Sequence, residues 1–256
     1  MGTTRGLTRR RFLTRGASSL ALASLGNIAS PYVSLAASRP MLTHGLQAGD
    51  VTADSGMVWA RVDRPARLLI EASTTESFKD ICCATFVDAL PESDFTGKVL
   101  LEDLPAGQQI FYRVTPHDLA SPASCGEIRP GRFRTAPGDA RSVSFVWSGD
   151  TAGQGWGIDE AHGGMRTFRT MLNNRPDFFI HSGDSIYADC PIERELKLPD
   201  GGIWRNLVTE EKSEIAQSLA QFRGNYKYNL LDANVRAFNA EVPVLEIGRA
   251  SCRERV

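Results

Sequence analysis

The sequence predicts an α+β protein of two domains, a β-sandwich followed by an incomplete α/β domain. Residues 41 to about 136 contain short apolar or alternating runs separated by turn residues, which is typical of a sandwich. From about residue 141 the pattern changes to strand, loop, helix and strand, which is typical of parallel α/β units. The dipeptide Pro137-Gly138 marks the change. We therefore predict a sandwich over 39–140 and a partial α/β domain over 141–245.

Six candidate strands support the sandwich. They are "GMVWARV" (56–62), "RLLIEAS" (67–73), "ICCATFV" (81–87), "KVLLEDL" (98–104), "IFYRVTP" (110–116) and "GRFRTA" (131–136). The passage "LEDLPAGQQIFYRV" resembles the turn-then-tyrosine passage of fibronectin type III-like modules. This likeness implies an immunoglobulin-like or fibronectin III-like sandwich. We expect it to pack against and position the second domain rather than bind a ligand.

The α/β part contains three candidate strands. "SVSFVWS" and "PDFFIHS" are joined by a helix in "GGMRTFRTML" (163–172), whose apolar residues share one face. A polar loop is predicted over 185–208. Thr209 is then expected to cap a helix with two acids in its first turn, and Asp232 to cap a short one. The third strand begins in "VPVLEI" (242–247), and we expect the sheet edge there to be exposed.

The first 38 residues have the features of an export signal. They carry five arginines and no acid, and "TRRRFLT" (8–14) fits the twin-arginine pattern. The mildly apolar stretch that follows is interrupted by polar and helix-breaking residues, so no stable membrane span is predicted. Small residues at Ala36 and Ser38 fit cleavage before Arg39. We therefore predict a signal peptide, recognition by the twin-arginine translocase, and a periplasmic or secreted protein.

The composition is that of a globular protein with no nucleic-acid-binding signal. Hydrophobic residues make up 42% and charged residues 23%, and the formal net charge is −1. Subtracting the five arginines of the leader from 29 basic residues leaves 24, against 30 acidic residues. This balance excludes the basic tail or stripe that nucleic-acid-binding proteins carry.

Two acidic residues directly follow buried strand runs and define the candidate site. Asp150 comes after "SFVWSG" and Asp184 after "FFIHSG", 34 residues later, which is about one strand–helix–strand unit. Functional groups gather beyond the carboxyl ends of such strands. Each Gly-Asp pair alone is ordinary turn chemistry. Two converging carboxylates repel each other unless a cation lies between them, so the pair indicates a metal site suited to phosphoester hydrolysis.

Two further side chains belong to this candidate site. Tyr187 follows Asp184 by three residues and could add a phenolate ligand, for which iron(III) is the natural partner. A tyrosine at such a position, read alone, is more often a packing residue than a ligand. His181 lies on the strand itself, where we expect it to support the ligands from behind or to be a satisfied core histidine.

These residues carry a resemblance to a known family. "HSGDSIYAD" (181–189) resembles the H-x-G-D-x-I-Y signature of the alkaline phosphatase D family, the PhoD-like metallophosphoesterases. The leader, "LTHGLQAGDVTADSGMVWARV" (42–62) and "FRGNYKYNLLDANVRAFNAEVPVL" (222–245) are similar to corresponding passages of that family. The resemblance covers nearly all the chain to about Leu245. It implies a calcineurin-like metallophosphoesterase fold for the α/β part.

The resemblance also implies a role for each site residue. Asp184 would be the catalytic residue that bridges two metals, and Tyr187 would bind an iron(III)-like ion. Asp150 takes the position of the first-strand ligand, which is a cysteine in some members. His181 would stand behind the ligands. The implied cofactor is a binuclear or larger metal centre, iron(III) with calcium, with other divalent metals as alternatives.

The sequence departs from the family pattern in two places. Ala152 stands where the broader calcineurin-like phosphoesterases carry a histidine. After "VPVL" the family continues into an Asp-Asp-His-Glu passage, whereas this chain reads "EIGRASCRERV". We expect residues 246–256 to be a non-native tail and the chain to be an inactive N-terminal fragment, because ligands for the second metal are missing.

The predicted function is that of an exported metal-dependent phosphoesterase, an alkaline phosphatase or phosphodiesterase. Its substrate would be a small phosphoester or a phosphodiester polymer. The alternative is a non-catalytic extracellular binding module built on the sandwich. Metal analysis separates the two, because a binding module has no need for iron or calcium.

Replacing both Arg9 and Arg10 by lysine should leave the precursor in the cytoplasm, because the translocase recognises the paired guanidinium groups. Cell fractionation followed by immunoblotting measures the outcome. Arg5→Lys, outside the motif, is the control and should be exported normally. Export of the double variant at the wild-type level would contradict the twin-arginine assignment.

Overall fold

A computed structural model describes residues 39–247 of the protein. The predicted signal peptide and residues 248–256 of the predicted tail lie outside the described residues. No helix between residues 39 and 247 is long and apolar enough to cross a membrane.

Within this range the chain forms twelve strands and three α-helices. The strands are β1 (Leu42–Gly49), β2 (Gly56–Val62), β3 (Ala66–Ser73), β4 (Ile81–Ala89), β5 (Thr96–Leu101), β6 (Gln109–Asp118), β7 (Arg129–Arg134), β8 (Phe145–Ser148), β9 (Phe178–His181), β10 (Glu195–Lys197), β11 (Ile203–Arg205) and β12 (Val244–Glu246). The helices are α1 (Arg166–Asn173), α2 (Leu219–Asn229) and α3 (Ala233–Glu241).

The strands form two main sheets. One has six strands in the order β5-β2-β1-β12-β9-β8, and the other has four in the order β4-β3-β6-β7. In the six-stranded sheet, the neighbouring strands of the run β1-β12-β9-β8 are parallel to one another. The neighbouring strands of the run β5-β2-β1 are antiparallel. The four-stranded sheet is antiparallel throughout. The strands β10 and β11 pair as a separate hairpin.

A first core forms where the four-stranded sheet packs against β1, β2 and β5. The period of two in β2 turns Val58, Ala60 and Val62 inward, and all three are buried. Facing residues such as Leu68 and Tyr112 belong to the same cluster. Burial of each large apolar side chain contributes about 1.5–3 kcal/mol, so this core stabilises the first part of the chain.

A second core forms where α1 and α3 cover one face of the parallel strands. The rings of Phe168, Phe179 and Phe238 meet edge to face, with centroid distances of 5.3–6.3 Å. Asp232 caps α3, as predicted, by accepting bonds from the backbone N–H of Asn234 and Val235. The same carboxylate accepts the N–H of Met165, which ties α3 to the segment before α1.

The prediction of an exposed edge at the third strand is wrong. The strand β12 lies between β9 and β1, and Val244 pairs in register with Gly49. The predicted boundary at 137–141 falls between β7 and β8, yet strands from both sides of it share one sheet. Glu246, assigned to the non-native tail, is the last residue of β12.

Three further elements differ from the predictions. The strand β1 was missed because its alternation is weak and Gly45 takes a positive φ of 76° beside a β-bulge. The hairpin β10–β11 occupies the segment predicted as a polar loop over 185–208. Thr209 begins only a 3₁₀ turn, and α2 starts after Ser218, which forms a capping box with Gln221.

Gly131→Ala should lower the free energy of unfolding by about 1–3 kcal/mol, because the added methyl group overpacks a filled site. Its Cβ would lie 2.7 Å from the carbonyl oxygen of Ala240 in α3, and closer still to the phenol of Tyr112. Denaturant unfolding measures the change. Gly138→Ala is the matched control, since its Cβ meets nothing nearer than Ala106 at 3.7 Å. Equal stability of the two variants would contradict tight packing between β7 and α3.

Candidate metal centre

The two Gly-Asp pairs leave the sheet side by side. The strands β8 and β9 are parallel neighbours, and Ser148 pairs with His181 at their ends. The N–H of Ser182 donates to the carbonyl of Ser148 at 3.0 Å, one residue before the glycines. The turns that carry Asp150 and Asp184 therefore start at the same edge, where open α/β sheets place functional groups.

The turns are joined by reciprocal hydrogen bonds. The backbone N–H of Asp184 donates to Oδ1 of Asp150 at 2.8 Å. In return, the N–H of Thr151 donates to the carbonyl of Asp184 at 3.0 Å. Gly183 makes this approach feasible, because a Cβ there would lie 2.7 Å from the nitrogen of Asp150 and closer still to its carboxylate.

Tyr187 reaches the same carboxylates. Partial burial is the largest cause that raises the pKa of the Tyr187 phenol; together with the hydrogen bonds to Asp150 and Asp184 and the charges of these carboxylates, it brings this pKa to about 12. A neutral phenol that donates to carboxylates is thus favoured in the metal-free protein. The structure therefore brings together Asp150, Asp184 and Tyr187, the three ligands predicted from the sequence.

The side chains of Asp150, Asp184 and Tyr187 form a donor set that suits one hard cation. It consists of two carboxylates and one phenol, all oxygen donors, and the negative charges repel each other when nothing lies between them. No group of three or more His, Cys, Asp or Glu residues in 39–247 is placed to hold a metal ion. A cation in place of the phenolic proton would neutralise part of the negative charge of the two carboxylates.

His181 stands behind this group. It is buried, and its Nε2 lies 3.1 Å from the hydroxyl of Thr151, the residue after Asp150. Its ring packs edge to face on Phe179 with centroids 5.8 Å apart. His181 therefore supports the turn that carries Asp150.

Four residues that support this group were missed by the sequence reasoning. Thr151 links the two turns, Lys212 and Asn229 bind the segment after Asp184, and Asn225 accepts a hydrogen bond from Lys212. The two asparagines stand four residues apart on α2, which places them on one helix face, and this spacing was the available signal. Lys212 gave no signal, because an isolated lysine in an acidic segment reads as a solvated residue.

A cavity is lined by Thr151 and Ser185, the residues that directly follow Asp150 and Asp184. It has a volume of about 500 Å³, and Thr151, His181 and Ser185 line it together with Trp59 of β2 and Tyr226 of α2. The candidate ligands themselves are not among its lining residues. Two of its lining residues are the neighbours of candidate ligands in the chain, so the cavity lies near the ends of β8 and β9.

Family models match both parts of the chain. The model described as "PhoD-like phosphatase, N-terminal domain" matches residues 27–137, and the model described as "PhoD-like phosphatase" matches residues 145–247. The chain belongs to the PhoD-like phosphatase family. The family resemblance drawn from the H-x-G-D-x-I-Y signature is thereby confirmed.

One solved structure agrees with this membership at the level of fold. The structure titled "Structure of PhoD" is 18% identical with a TM-score of 0.61, and the match covers 82% of this chain and 39% of that one. The chain thus spans about two fifths of that PhoD. A purple acid phosphatase from yellow lupin is 14% identical with a TM-score of 0.46, over 81% of this chain and 34% of the other. A comparison with curated protein sequences found no match.

The comparisons confirm the fold class in its coarser form. The chain has a mixed, sheet-rich fold similar to that of PhoD. The narrower assignment of the first part to an immunoglobulin or fibronectin III type stays a prediction, because the fibronectin type III domain of human collagen alpha-1(XX) matches 41% of this chain with a TM-score of only 0.29.

Stability of the metal-free protein should fall as the pH rises from about 10 to about 12, and Tyr187→Phe should make that fall smaller. The folded pKa of Tyr187, about 12, lies above its ordinary value of 10.0, so in this window the folded state binds more protons than the unfolded state. Urea unfolding in the presence of a chelator measures the slope. Tyr226→Phe, at an exposed position, should leave the slope as it is. Identical slopes for wild type and Tyr187→Phe would show that the phenol is not held by the carboxylates.

Proposed function

We propose that this chain is part of an exported metal-dependent phosphoesterase of the alkaline phosphatase or phosphodiesterase type. The observation that carries the proposal is the convergence of Asp150, Asp184 and Tyr187 at the ends of two parallel strands. Membership in a phosphatase family supports the reaction class. The substrate would be a small phosphoester or a phosphodiester polymer.

Each residue has a distinct task in this proposal. Asp184 would be the catalytic carboxylate that holds both cations, and the hydrogen bonds of its main chain to Asp150 and Thr151 fix the turn that carries it. Tyr187 would bind the harder cation once its phenol loses the proton that it shares with the carboxylates. Asp150 completes that side, and its oxygen in place of a thiolate favours a hard ion such as iron(III), with calcium as the second metal. When bound, such cations lower the pKa of water and neutralise phosphate oxygens.

The chain itself has tasks beyond holding cations. The bonds between the two turns fix the carboxylates before substrate arrives, so little reorganisation is needed during the reaction. The neighbouring cavity of about 500 Å³ is large enough for a phosphoester with a sizeable leaving group. Export by the twin-arginine route would place this activity in the periplasm or outside the cell.

We expect no turnover from the 256-residue chain alone. Asp150, Asp184 and Tyr187 supply one side of a two-metal site, and the second cation would share only Asp184 among them. A cation with so few protein ligands is weakly held. Metal-dependent hydrolysis of nitrophenyl phosphate by this polypeptide would contradict that expectation.

Iron(III) binding tests the proposal directly on this chain. Wild-type protein should develop a visible tyrosinate-to-iron absorption band, and inorganic phosphate should shift it. Tyr187→Phe should abolish the band. Asp184→Asn should weaken iron(III) binding by at least about 100-fold, because it removes a charged ligand of the ion.

Two variants serve as matched controls. Asp189→Asn changes an exposed carboxylate of the same loop, and Tyr226→Phe changes an exposed tyrosine of α2. Both should bind iron(III) with wild-type colour and affinity. A wild-type protein that stays colourless with iron, or an Asp184→Asn variant of unchanged affinity, would overturn the proposed metal site.

A further inference from the structure

A buried lysine lies directly beneath the candidate metal centre. Lys212 is 7% exposed, and its ammonium donates to the backbone carbonyl of Tyr187 at 3.0 Å. It also donates to Oδ1 of Asn225 at 3.0 Å and lies 5.6 Å from the ring centroid of Tyr228. Within residues 39–247 it forms no ion pair. Burial lowers the pKa of this ammonium, so a charge without an ionic partner is kept here at a cost.

Asn225 is oriented so that it can only accept from this ammonium. Its Nδ2 donates to the carbonyl of Glu211 at 3.1 Å and to that of Gln221 at 3.0 Å. Both amide donors are therefore used, and Oδ1 faces Lys212. The side chain is buried, so a slight rotation would leave polar groups unpaired. The position of the ammonium is thus fixed by α2.

Asn229, one turn further along α2, holds a second point of the same loop. Its Nδ2 donates to the carbonyl of Ser185 at 2.7 Å. Because residues four apart share a helix face, Asn229 binds the loop from the same side on which Asn225 holds Lys212. The N–H of Ala216 adds a bond to the carbonyl of Ala188 at 2.9 Å. Three carbonyls between 185 and 188 are thereby held from the α2 side.

We propose that Lys212, Asn225 and Asn229 form a clamp that positions Asp184 and Tyr187 for metal binding. The clamp binds the main-chain carbonyls of Ser185 and Tyr187. The carboxylate of Asp184 and the phenol of Tyr187 therefore stay available to bind the ion. These three are positioning residues, since none of them contributes an atom to the ligand set. The inference rests on the proposed metal site for its function, and on the hydrogen bonds alone for its geometry.

Two readouts test the clamp. Lys212→Met keeps the length and the apolar stem but removes the charge and the donors. We expect iron(III) binding to weaken by about tenfold and the tyrosinate band to shift, as metal sites respond when supporting hydrogen bonds are removed. Amide hydrogen exchange across residues 184–189 should accelerate by about tenfold in the metal-free protein. Lys197→Met, an exposed lysine of β10, is the matched control and should change neither readout.

Asn229→Ala is a second test variant, which keeps the proposal testable if the Lys212→Met protein does not fold. It removes only the bond to Ser185 from a half-buried helix face, and it should produce the same two changes to a smaller degree. Unchanged affinity, band position and exchange in both variants would overturn the clamp. If wild-type protein bound no iron(III), the metal site itself would fail, and the exchange measurement in metal-free protein would still decide the clamp.

Discussion

The structure of the site depends on the close approach of two turns that carry like charges. The N–H of Asp184 donates to the carboxylate of Asp150, and Gly183 leaves no side chain in the way. This contact exists only because β8 and β9 are parallel and in register up to Ser148 and His181. The neutral phenol of Tyr187 donates hydrogen bonds to the carboxylates of Asp150 and Asp184 and so partly compensates their negative charge. A cation would complete the arrangement, which is why metal chemistry is the most economical interpretation.

Helix α2 connects this site to the first part of the chain. One side of the helix meets the segment before β5, where Lys227 pairs with Asp94 at 2.9 Å and Arg223 donates to the carbonyl of Glu92 at 3.2 Å. On the other side, Asn229 donates to the carbonyl of Ser185, and Asn225 holds Lys212, which donates to the carbonyl of Tyr187. Such partly exposed ion pairs contribute little stability. Their effect is on orientation, so the first part of the chain is connected to the geometry of the candidate ligands.

Local features of the fold were predictable from the sequence, whereas pairings between distant segments were not. The strand runs ending at Asp150 and Asp184, and the cap at Asp232, follow from periodicity and turn chemistry within a few residues. The strand β1 has a weak apolar pattern and is stabilised by neighbours on both sides. Lys212 is buried only because α2 folds over it. The three candidate ligands were predicted from the sequence because they directly follow strand runs. The clamp formed by Lys212, Asn225 and Asn229 depends on tertiary contacts, which leave no pattern in the sequence.

We propose that Asp150, Asp184 and Tyr187 share one cation. Anomalous X-ray diffraction at the iron edge, from crystals of the 256-residue protein grown with iron(III), would locate that ion. We expect one strong peak within bonding distance of an oxygen of each of the three side chains. A peak located elsewhere on the protein, with the Tyr187 phenol still hydrogen-bonded to both carboxylates, would contradict it.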